Sequence, residues 1–355
     1  MTYPIPTIKN SSKPSQYQRA VAFCVDRGFL PYASYVAHQI LEKEEHRDFD
    51  IVICIPHTES LPKEQNPNIR YCAIDYSHIL NLPVGRLSMA TYYKIFLPAI
   101  FGNTYEQILY LDADVYVKTS CISSLMDNHK ENTGLVMAVD ISEIERKSGL
   151  KFHNSYLDHY AAVNHQYSNA GVILFNTTRL LEIGYLNQLM GYAENNLEKL
   201  VRHDQTLINT VLYNEISSLS FLFNYQLIDT TIPFLEEFEP KILHFVGELK
   251  PWNTAHGFAG KLHDEYKSFI QQHFPNHKIE ANSEFKLKYE SRKKKRKYTI
   301  PLREQLSLKI FIGKEKLKRS ISFFQKSTNT EARKRHKNRK ILPNFRVTIR
   351  SYICE

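Results

Sequence analysis

Short apolar runs that alternate with segments of helical spacing are the feature that most constrains the fold of this chain. Residues 19–25, 49–56 and 69–74 each carry enough consecutive apolar side chains for a buried strand. Residues 31–45 lie between the first two runs, and their apolar side chains recur at helical spacing. A strand, a helix and a strand in this order predict a parallel α/β unit.

The same pattern continues downstream. Two of the later strands end in carboxylates, and a third is followed directly by a helix. In chain order the later predictions are a helix from residue 87 to Pro98, strands over 107–114, 135–140 and 169–176, a helix from Thr178, a helix over 205–212 with His203 and Asp204 near its start, and a strand over 241–247. We therefore predict a loose polar arm (1–18), an α/β domain (19–285) and a separate tail (286–355).

Charge divides the chain at the start of the same tail. The tail holds 23 Lys and Arg against 5 Asp and Glu, so the rest of the chain is acidic although the whole carries a formal charge of +9. Such asymmetry indicates an anionic partner for the tail. Apolar residues recur through the tail at helical spacing with Lys and Arg between them, which favours an amphipathic helix on an anionic membrane surface. A solvated tail and nucleic-acid binding are the alternatives, the latter without any accompanying nucleic-acid motif.

Composition excludes several classes of protein. With 43% apolar residues the chain can bury a core, and it contains no apolar run long enough to span a bilayer. The N-terminus lacks the basic-then-apolar pattern of a secretory signal. The five cysteines form no CxxC pair, which argues against structural zinc and favours a reducing, cytoplasmic compartment.

The strongest local motif is the run LYLDAD, which ends in Asp112 and Asp114. Side chains alternate along a strand, so we expect the two carboxylates on one face, at the strand end where α/β sheets bind ligands. A divalent cation would relieve their repulsion, and oxygen ligands suit Mg²⁺ or Mn²⁺. Two solvated loop acids are the alternative.

A DxD motif after an apolar strand also occurs in haloacid-dehalogenase-like phosphatases, where the first Asp is the nucleophile. Those enzymes place the motif on their first strand and add a downstream Gly-Asp pair. Here three predicted strands precede the motif, and the chain contains no Gly-Asp dipeptide. The phosphatase hypothesis is therefore the weaker one.

A second motif is the run HFVGELKPW, which starts at His244. The imidazole of His244 could complete a metal shell. Gly247 would allow the backbone to approach a phosphate closely, and Lys250 could place a point charge on that phosphate.

Four motifs in fixed order, LYLDADV, SNAGVILFN, HDQTLIN and HFVGELKPW, resemble those of glycosyltransferase family 8. That family includes glycogenins and bacterial lipooligosaccharide galactosyltransferases, and the resemblance covers residues 19–253. It implies a GT-A fold, a UDP-hexose donor, Mn²⁺ (or Mg²⁺), and transfer with retention of anomeric configuration.

The resemblance also assigns residues to the metal and the nucleotide. Asp112 and Asp114 match the metal-binding acids, with His244 as the third protein ligand, and Ala113 lies between the acids in the donor site. The remaining nucleotide contacts that it implies are Cys24 and Asp26 on the uridine, Gly247 and Lys250 on the diphosphate, and Arg86 at a nucleotide-contacting position. Gly28 stands where the family often has Asn, which departs from the usual pattern for the ribose.

Further positions match the donor-sugar pocket, namely Lys94, Asp140, Asn169, Ala170, Asp204 and Gln205. Asp, Asn and Gln supply the directional hydrogen bonds that hexose hydroxyls need. The catalytic candidates are Gln205, Asp204 and Asn169, with Gln205 aligned near the anomeric carbon. Because an amide is a weak nucleophile, we favour front-face attack over a covalent enzyme intermediate.

The sequence thus predicts a retaining hexosyltransferase that moves galactose or glucose from a UDP-sugar to a lipopolysaccharide or lipooligosaccharide acceptor. We expect it to work in the cytoplasm, held peripherally at the inner face of the cell membrane by the tail. The alternatives are a glycogenin-like protein that glucosylates itself, a metal-dependent phosphatase, and a non-catalytic protein that binds membrane or nucleic acid.

Overall fold

The computed structural model describes residues 3–62, 66–79, 82–84, 88–147, 157, 166–228 and 231–279. The predicted tail (286–355) and Arg86 lie outside these residues. The strands are β1 (Thr7–Ser11), β2 (Arg19–Cys24), β3 (Asp50–Pro56), β4 (Ile69–Asp75), β5 (Gln107–Leu111), β6 (Val115–Val117), β7 (Leu135–Val139), β8 (Ser168–Asn176), β9 (Ile216–Leu219), β10 (Tyr225–Gln226) and β11 (Ile242–His244).

The α-helices, some of them a single turn, lie mostly between these strands. They are α1 (Leu30–Lys43), α2 (Ala90–Tyr93), α3 (Leu97–Phe101), α4 (Ile122–Met126), α5 (Ile141–Lys147), α6 (Thr177–Glu182), α7 (Tyr185–Glu194), α8 (His203–Val211), α9 (Leu235–Phe238), α10 (Gly257–Gly260) and α11 (His263–His273). No helix of the described residues is both long and apolar enough to cross a bilayer.

Eight of the described strands form one mixed sheet, in the order β1-β4-β3-β2-β5-β8-β7-β9. β2 pairs in parallel with β3 and β5, and β3 with β4, as the apolar runs predict. β8 then runs antiparallel to both β5 and β7. As a result the end of β5, the start of β8 and the end of β7 lie at the same edge of the sheet.

Both faces of this sheet are buried, which explains why its strands read as continuous apolar runs. Val21, Phe23 and Ile53 on one face pack in a core that includes α1 and α11. Ala22 and Val52 on the other face pack in a core that includes α2, α3, α7 and α8.

A second, three-stranded sheet has the order β10-β11-β6. β11 pairs antiparallel with β6, so that His244 lies opposite Val115, the residue that follows the DxD turn. The backbone N–H of Phe245 donates to the carbonyl of Asp114 at 2.9 Å. This small sheet therefore carries the late histidine to the acids at the end of β5.

Several predicted element boundaries differ from the structure. Part of the arm predicted to be loose is β1, which pairs antiparallel with β4. The helix predicted up to Pro98 instead changes to a 3₁₀ turn over Lys94–Phe96 and starts again, with Pro98 in the first turn of α3, where its missing N–H costs nothing. The predicted last strand, residues 241–247, is only the three residues of β11, because the chain turns away at Gly247.

The DxD strand also ends earlier than predicted. β5 stops at Leu111, and Asp112 to Asp114 form a turn that leads into β6. The alternation of side chains along a strand was therefore the wrong reason to expect both carboxylates on one side. The turn brings them together instead.

Candidate active site and metal centre

Three side chains at the edge where β5 ends form a group that we name the acid–histidine cluster: Asp112, Asp114 and His244. One ligand atom from each lies within 4.8 Å of the others. His244 Nε2 is 3.2 Å from Asp114 Oδ1 and 3.8 Å from Asp112 Oδ2. Ala113 is buried in the turn between the two acids. Oxygen and imidazole ligands at this spacing fit a divalent cation.

One atom of the cluster gives independent support for a cation. Asp114 Oδ1 is buried, and among the described residues none donates a hydrogen bond of good geometry to it, although His244 Nε2 is close. A buried carboxylate oxygen without a partner costs free energy, and a bound cation would remove that cost.

Room for the imidazole comes from Gly171 on β8. A Cβ at that position would lie only 2.1 Å from His244 Cε1. Any residue other than glycine would therefore displace the imidazole ring. His244 Nδ1 is 2.9 Å from the amide oxygen of Asn224, which is also buried. The backbone of β8 and this asparagine together fix the position of the histidine.

Lys94 joins the acids of two different elements. Its buried ammonium lies 3.0 Å from Asp112 Oδ1 and 3.0 Å from Asp204 Oδ2, and it donates to the carbonyl of Ala170 at 3.1 Å. Burial alone would lower the pKa of Lys94, but the two carboxylates raise it above its ordinary value. The lysine therefore stays charged and neutralises part of the acidic site.

Lys250 pairs with the other acid of the acid–histidine cluster. Its ammonium pairs with Asp114 Oδ2 and also donates to the carbonyl of Phe245. Burial would raise the pKa of Asp114, but Lys250 holds it well below its usual range. The chain reaches this position through Gly247, whose φ of 86° favours glycine.

Asp140, Asn169 and Gln205 form a second group, which we name the amide cluster. Asp140 Oδ2 accepts from Asn169 Nδ2 at 3.1 Å and from Gln205 Nε2 at 3.0 Å. Gln205 Oε1 accepts from Asn169 Nδ2 at 3.2 Å and from the backbone N–H of Ala170 at 3.1 Å. These hydrogen bonds hold the three side chains in one arrangement where β7 ends and β8 begins.

Asp204 directly precedes Gln205 on α8 and pairs with Lys94. Its Oδ1 accepts from the hydroxyl of Thr91 at 2.9 Å, and its Oδ2 faces Lys94. Burial raises the pKa of Asp204 above its ordinary value, although Lys94 opposes this effect.

The residue before Asp204 has an unusual backbone. His203 begins α8 with a φ of 53°, in the left-handed region that costs a non-glycine residue about 1 kcal/mol. Its Nδ1 is 2.9 Å from the carbonyl of Pro83, which also accepts from the hydroxyl of Tyr92 at 2.8 Å. These contacts hold the strained residue in place.

The comparison with known proteins agrees with this arrangement of motifs. The sequence profile described as "Glycosyl transferase family 8" matches residues 20–256, more than half of the chain. The chain belongs to glycosyltransferase family 8. This confirms the family that the four ordered motifs indicate.

Two relatives of this family 8 protein have names that describe lipopolysaccharide glycosyltransferases. The lipopolysaccharide 1,3-galactosyltransferase of Salmonella typhimurium (strain LT2) is 27% identical over 206 residues, 55% of this chain but only 59% of that protein. A lipopolysaccharide 1,2-glucosyltransferase of Escherichia coli is 22% identical over 292 residues, 76% of this chain and 84% of that protein.

A solved structure supports the fold. The galactosyltransferase LgtC in complex with donor and acceptor sugar analogs matches with a TM-score of 0.54 at 18% identity, over 70% of this chain and 95% of that chain. The mixed sheet flanked by helices in this family 8 protein is therefore the predicted GT-A fold, which is confirmed.

The two residues predicted to contact the uridine lie at or just after the end of β2. Cys24 is buried, and Asp26 is partly exposed and accepts from the backbone N–H of Phe29 at 3.1 Å. The ring of Phe29 is largely exposed and meets Trp252 edge-on, with 6.1 Å between ring centroids. The sequence analysis of this family 8 protein did not single out the exposed ring of Phe29, because one Phe in a loop gives no periodic signal. Arg86 lies outside the described residues, so its role stays a prediction.

Sequence reasoning also missed four residues that touch the site of this family 8 protein, namely Thr91, Tyr110, Gly171 and Asn224. Gly171 lies inside the SNAGVILFN motif, and its place in an apolar strand was a usable signal for close approach. The hydroxyl of Tyr110 donates to Asp112 Oδ1 at 2.5 Å. Asn224 lies in an irregular segment, and only the pairing of β10 with β11 brings it beside His244.

Proposed function

We propose that this family 8 glycosyltransferase moves a hexose, galactose or glucose, from a UDP-sugar to a lipopolysaccharide or lipooligosaccharide acceptor. Transfer would depend on Mn²⁺ (or Mg²⁺) and retain the anomeric configuration. The named activities of the two relatives support the substrate class.

The observation that carries the proposal is the position of the acid–histidine cluster beside the amide cluster. Lys94 bonds both Asp112 of the first cluster and Asp204 next to the second. A diphosphate and its attached sugar need a site for strong negative charge directly beside a site rich in directional hydrogen-bonding groups. The acid–histidine cluster, with its cation, would provide the first of these sites, and the amide cluster would provide the second.

In this proposal Asp112, Asp114 and His244 hold the metal. When bound, the cation neutralises charge on the diphosphate and on the departing UDP. Lys250 and the backbone at Gly247 then contact the diphosphate, and Cys24 and Asp26 contact the uridine.

The sugar would be held by the amide cluster, with Asp204, Lys94 and Ala170 completing its pocket. Gln205 carries an amide, a weak nucleophile that also accepts two hydrogen bonds through its Oε1. We therefore favour front-face transfer, in which the acceptor oxygen attacks the anomeric carbon while its proton passes to the departing phosphate of UDP.

The acceptor class suggests where the enzyme works. We propose a cytoplasmic protein held peripherally at the inner face of the cell membrane, with residues 19–285 as the catalytic domain and residues 286–355 as the membrane-binding tail. The high positive charge of those last residues is the feature that supports an anionic lipid partner. Flotation of the full chain with anionic and with neutral liposomes tests this. Binding only to anionic liposomes is expected, and binding that ignores lipid charge would contradict it.

The activity is tested by incubating the full chain with UDP-galactose or UDP-glucose and measuring the UDP released, with and without Mn²⁺. Release is expected with one of the two donors and only with the metal. Asp114→Asn should lower the rate by at least about a thousandfold, because charge stabilisation by the metal is worth several kcal/mol. Exposed Asp264→Asn is the matched control.

Three results would contradict the proposal. Release of phosphate from a monoester, without UDP release, would favour the phosphatase. Sugar found on the protein itself would favour a glycogenin-like reaction. A product whose anomeric configuration is inverted, read by proton NMR, would exclude retention.

A further inference from the structure

Asn224 is a buried amide that connects the two clusters of the site. Its side chain is 0% exposed. Its Oδ1 is 2.9 Å from His244 Nδ1, and its Nδ2 is 2.9 Å from Asn169 Oδ1. One asparagine thus touches both the third residue of the acid–histidine cluster and a member of the amide cluster.

The orientation of this amide follows from a donor that cannot be reversed. The backbone N–H of Gly171 donates to Asn169 Oδ1 at 3.0 Å, so that atom is an acceptor oxygen. On its other side Asn169 Nδ2 faces the carboxylate of Asp140, which accepts. The atom of Asn224 that faces Asn169 Oδ1 must therefore be the NH₂ group, and its oxygen must face His244.

This orientation determines which imidazole nitrogen carries the proton. An amide oxygen only accepts, so His244 Nδ1 must be the donor. A neutral imidazole that is protonated on Nδ1 has its lone pair on Nε2, the atom that lies 3.2 Å from Asp114 Oδ1. In that form two acceptors face each other across 3.2 Å, an arrangement that a cation bound to both would relieve.

We propose that Asn224 is a positioning residue that holds His244 with its Nε2 lone pair toward Asp112 and Asp114, ready to ligate a divalent cation, and that the same amide braces Asn169. This inference rests on the metal-binding part of the proposed function. The two ends of the Asn224 amide have separate roles. Its oxygen fixes the orientation of His244, and its NH₂ group holds Asn169 in the amide cluster.

Two substitutions separate these contributions. Asn224→Leu removes both hydrogen bonds and keeps a similar volume. Asn224→Asp keeps an acceptor for His244 Nδ1 but removes the donor to Asn169. Because hydrogen bonds to metal-ligating histidines are typically worth 10- to 100-fold in metal affinity, we expect Asn224→Leu to weaken Mn²⁺ binding by about that factor. Asn224→Asp should bind Mn²⁺ at least as tightly as the wild type, yet raise the KM for UDP-hexose several-fold.

Mn²⁺ binding is measured on the full chain by the electron paramagnetic resonance signal of the free ion, which needs no turnover. Asn176→Leu is the matched control, since Asn176 is also buried but caps α6 at the far end of β8. This control should lose stability without losing Mn²⁺ affinity. If Asn224→Leu does not fold, the comparison of Asn224→Asp with the wild type still tests the separation of metal affinity from KM.

Equal loss of Mn²⁺ affinity in Asn224→Leu and Asn224→Asp would overturn the positioning role, as would an unchanged affinity in Asn224→Leu. The role is also overturned if the wild type binds no Mn²⁺. If the wild type binds Mn²⁺ and the variants behave as expected, but no UDP-hexose is consumed, the proposed reaction fails while the role of Asn224 stands.

Discussion

The acid–histidine cluster and the amide cluster both place polar side chains at the same edge of the sheet, but they differ in how completely these side chains satisfy one another. In the amide cluster Asp140, Asn169 and Gln205 bond one another at 3.0–3.2 Å. In the acid–histidine cluster Asp114 Oδ1 is buried without a hydrogen bond from the part of the chain that the structure describes, and a histidine nitrogen lies 3.2 Å from it.

This difference shows which part of the site satisfies its polar groups without a bound ligand. A network whose members satisfy one another is rigid before any ligand arrives, and so can present fixed hydrogen-bonding groups to a sugar. The acid–histidine cluster is satisfied only in part: Lys94 and Lys250 pair with its two acids, but Asp114 Oδ1 receives no hydrogen bond from the described residues, and a bound cation would satisfy that oxygen. We therefore expect mutations in the two clusters to have separable effects on metal binding and on turnover.

The largest effect should come from changing Lys94, which pairs with Asp112 of the acid–histidine cluster and with Asp204 next to the amide cluster. Lys94→Met removes the ammonium between Asp112 and Asp204, and it leaves the buried carboxylate of Asp204 and the partly exposed carboxylate of Asp112 without this cation. Breaking a buried ion pair in this way costs about 3–5 kcal/mol of unfolding free energy, and we also expect transfer to be lost. Urea unfolding and a UDP-release assay measure both effects.

The control for this change is Lys199→Met, because Lys199 is exposed and bonds only Asn196 in the described structure. Its unfolding free energy should stay within about 0.5 kcal/mol of the wild type. If Lys94→Met were as stable as this control, Lys94 would not hold the two regions together.

An intermediate effect, confined to the acid–histidine cluster, is expected for Gly171→Ala. The added Cβ would collide with His244, so the ring must turn away from Asp112 and Asp114. We expect a loss of Mn²⁺ affinity of about 10- to 100-fold, measured by titration calorimetry. Gly191→Ala in α7 is the control, because a Cβ there has no atom of the described residues within 4 Å. Unchanged Mn²⁺ affinity in Gly171→Ala would show that His244 is not a ligand.

The smallest effect is expected from Gln205→Ala, which changes only the amide cluster. If Gln205 positions the sugar, kcat should fall about 10-fold while Mn²⁺ affinity stays within about twofold. Exposed Gln188→Ala serves as the control. Near-complete loss of transfer with intact Mn²⁺ binding would instead indicate direct participation of Gln205 in bond making, and the front-face route would need revision.

The sequence predicted the parallel strands well, because burial on both faces produces continuous apolar runs that are easy to recognise. It also predicted polar residues at strand ends, including Asp112, Asp140 and Asn169, since a strand that enters the site must exchange apolar for polar side chains there. The family model confirms the family, and the similarity to LgtC confirms the fold. The roles assigned to individual residues stay predictions.

What the sequence did not predict depends on pairing between distant segments. β10 and β11 have two and three residues, too few for a periodic signal, yet they bring Asn224 beside His244. The turn at Asp112–Asp114 was read as a continuing strand because its residues carry no turn-specific glycine or proline. Pro98 was read as a helix end, whereas a proline fits equally well in the first turn of a new helix.

The left-handed backbone at His203 has a mechanical consequence. Its ring is tied to the carbonyl of Pro83, and the next two residues are Asp204 and Gln205. A displacement of Pro83 must either break that bond or pull on the first turn of α8, and relaxing φ from 53° would rotate that turn. The contact between His203 and Pro83 thus couples the position of Pro83 to the first turn of α8, which carries Asp204 and Gln205.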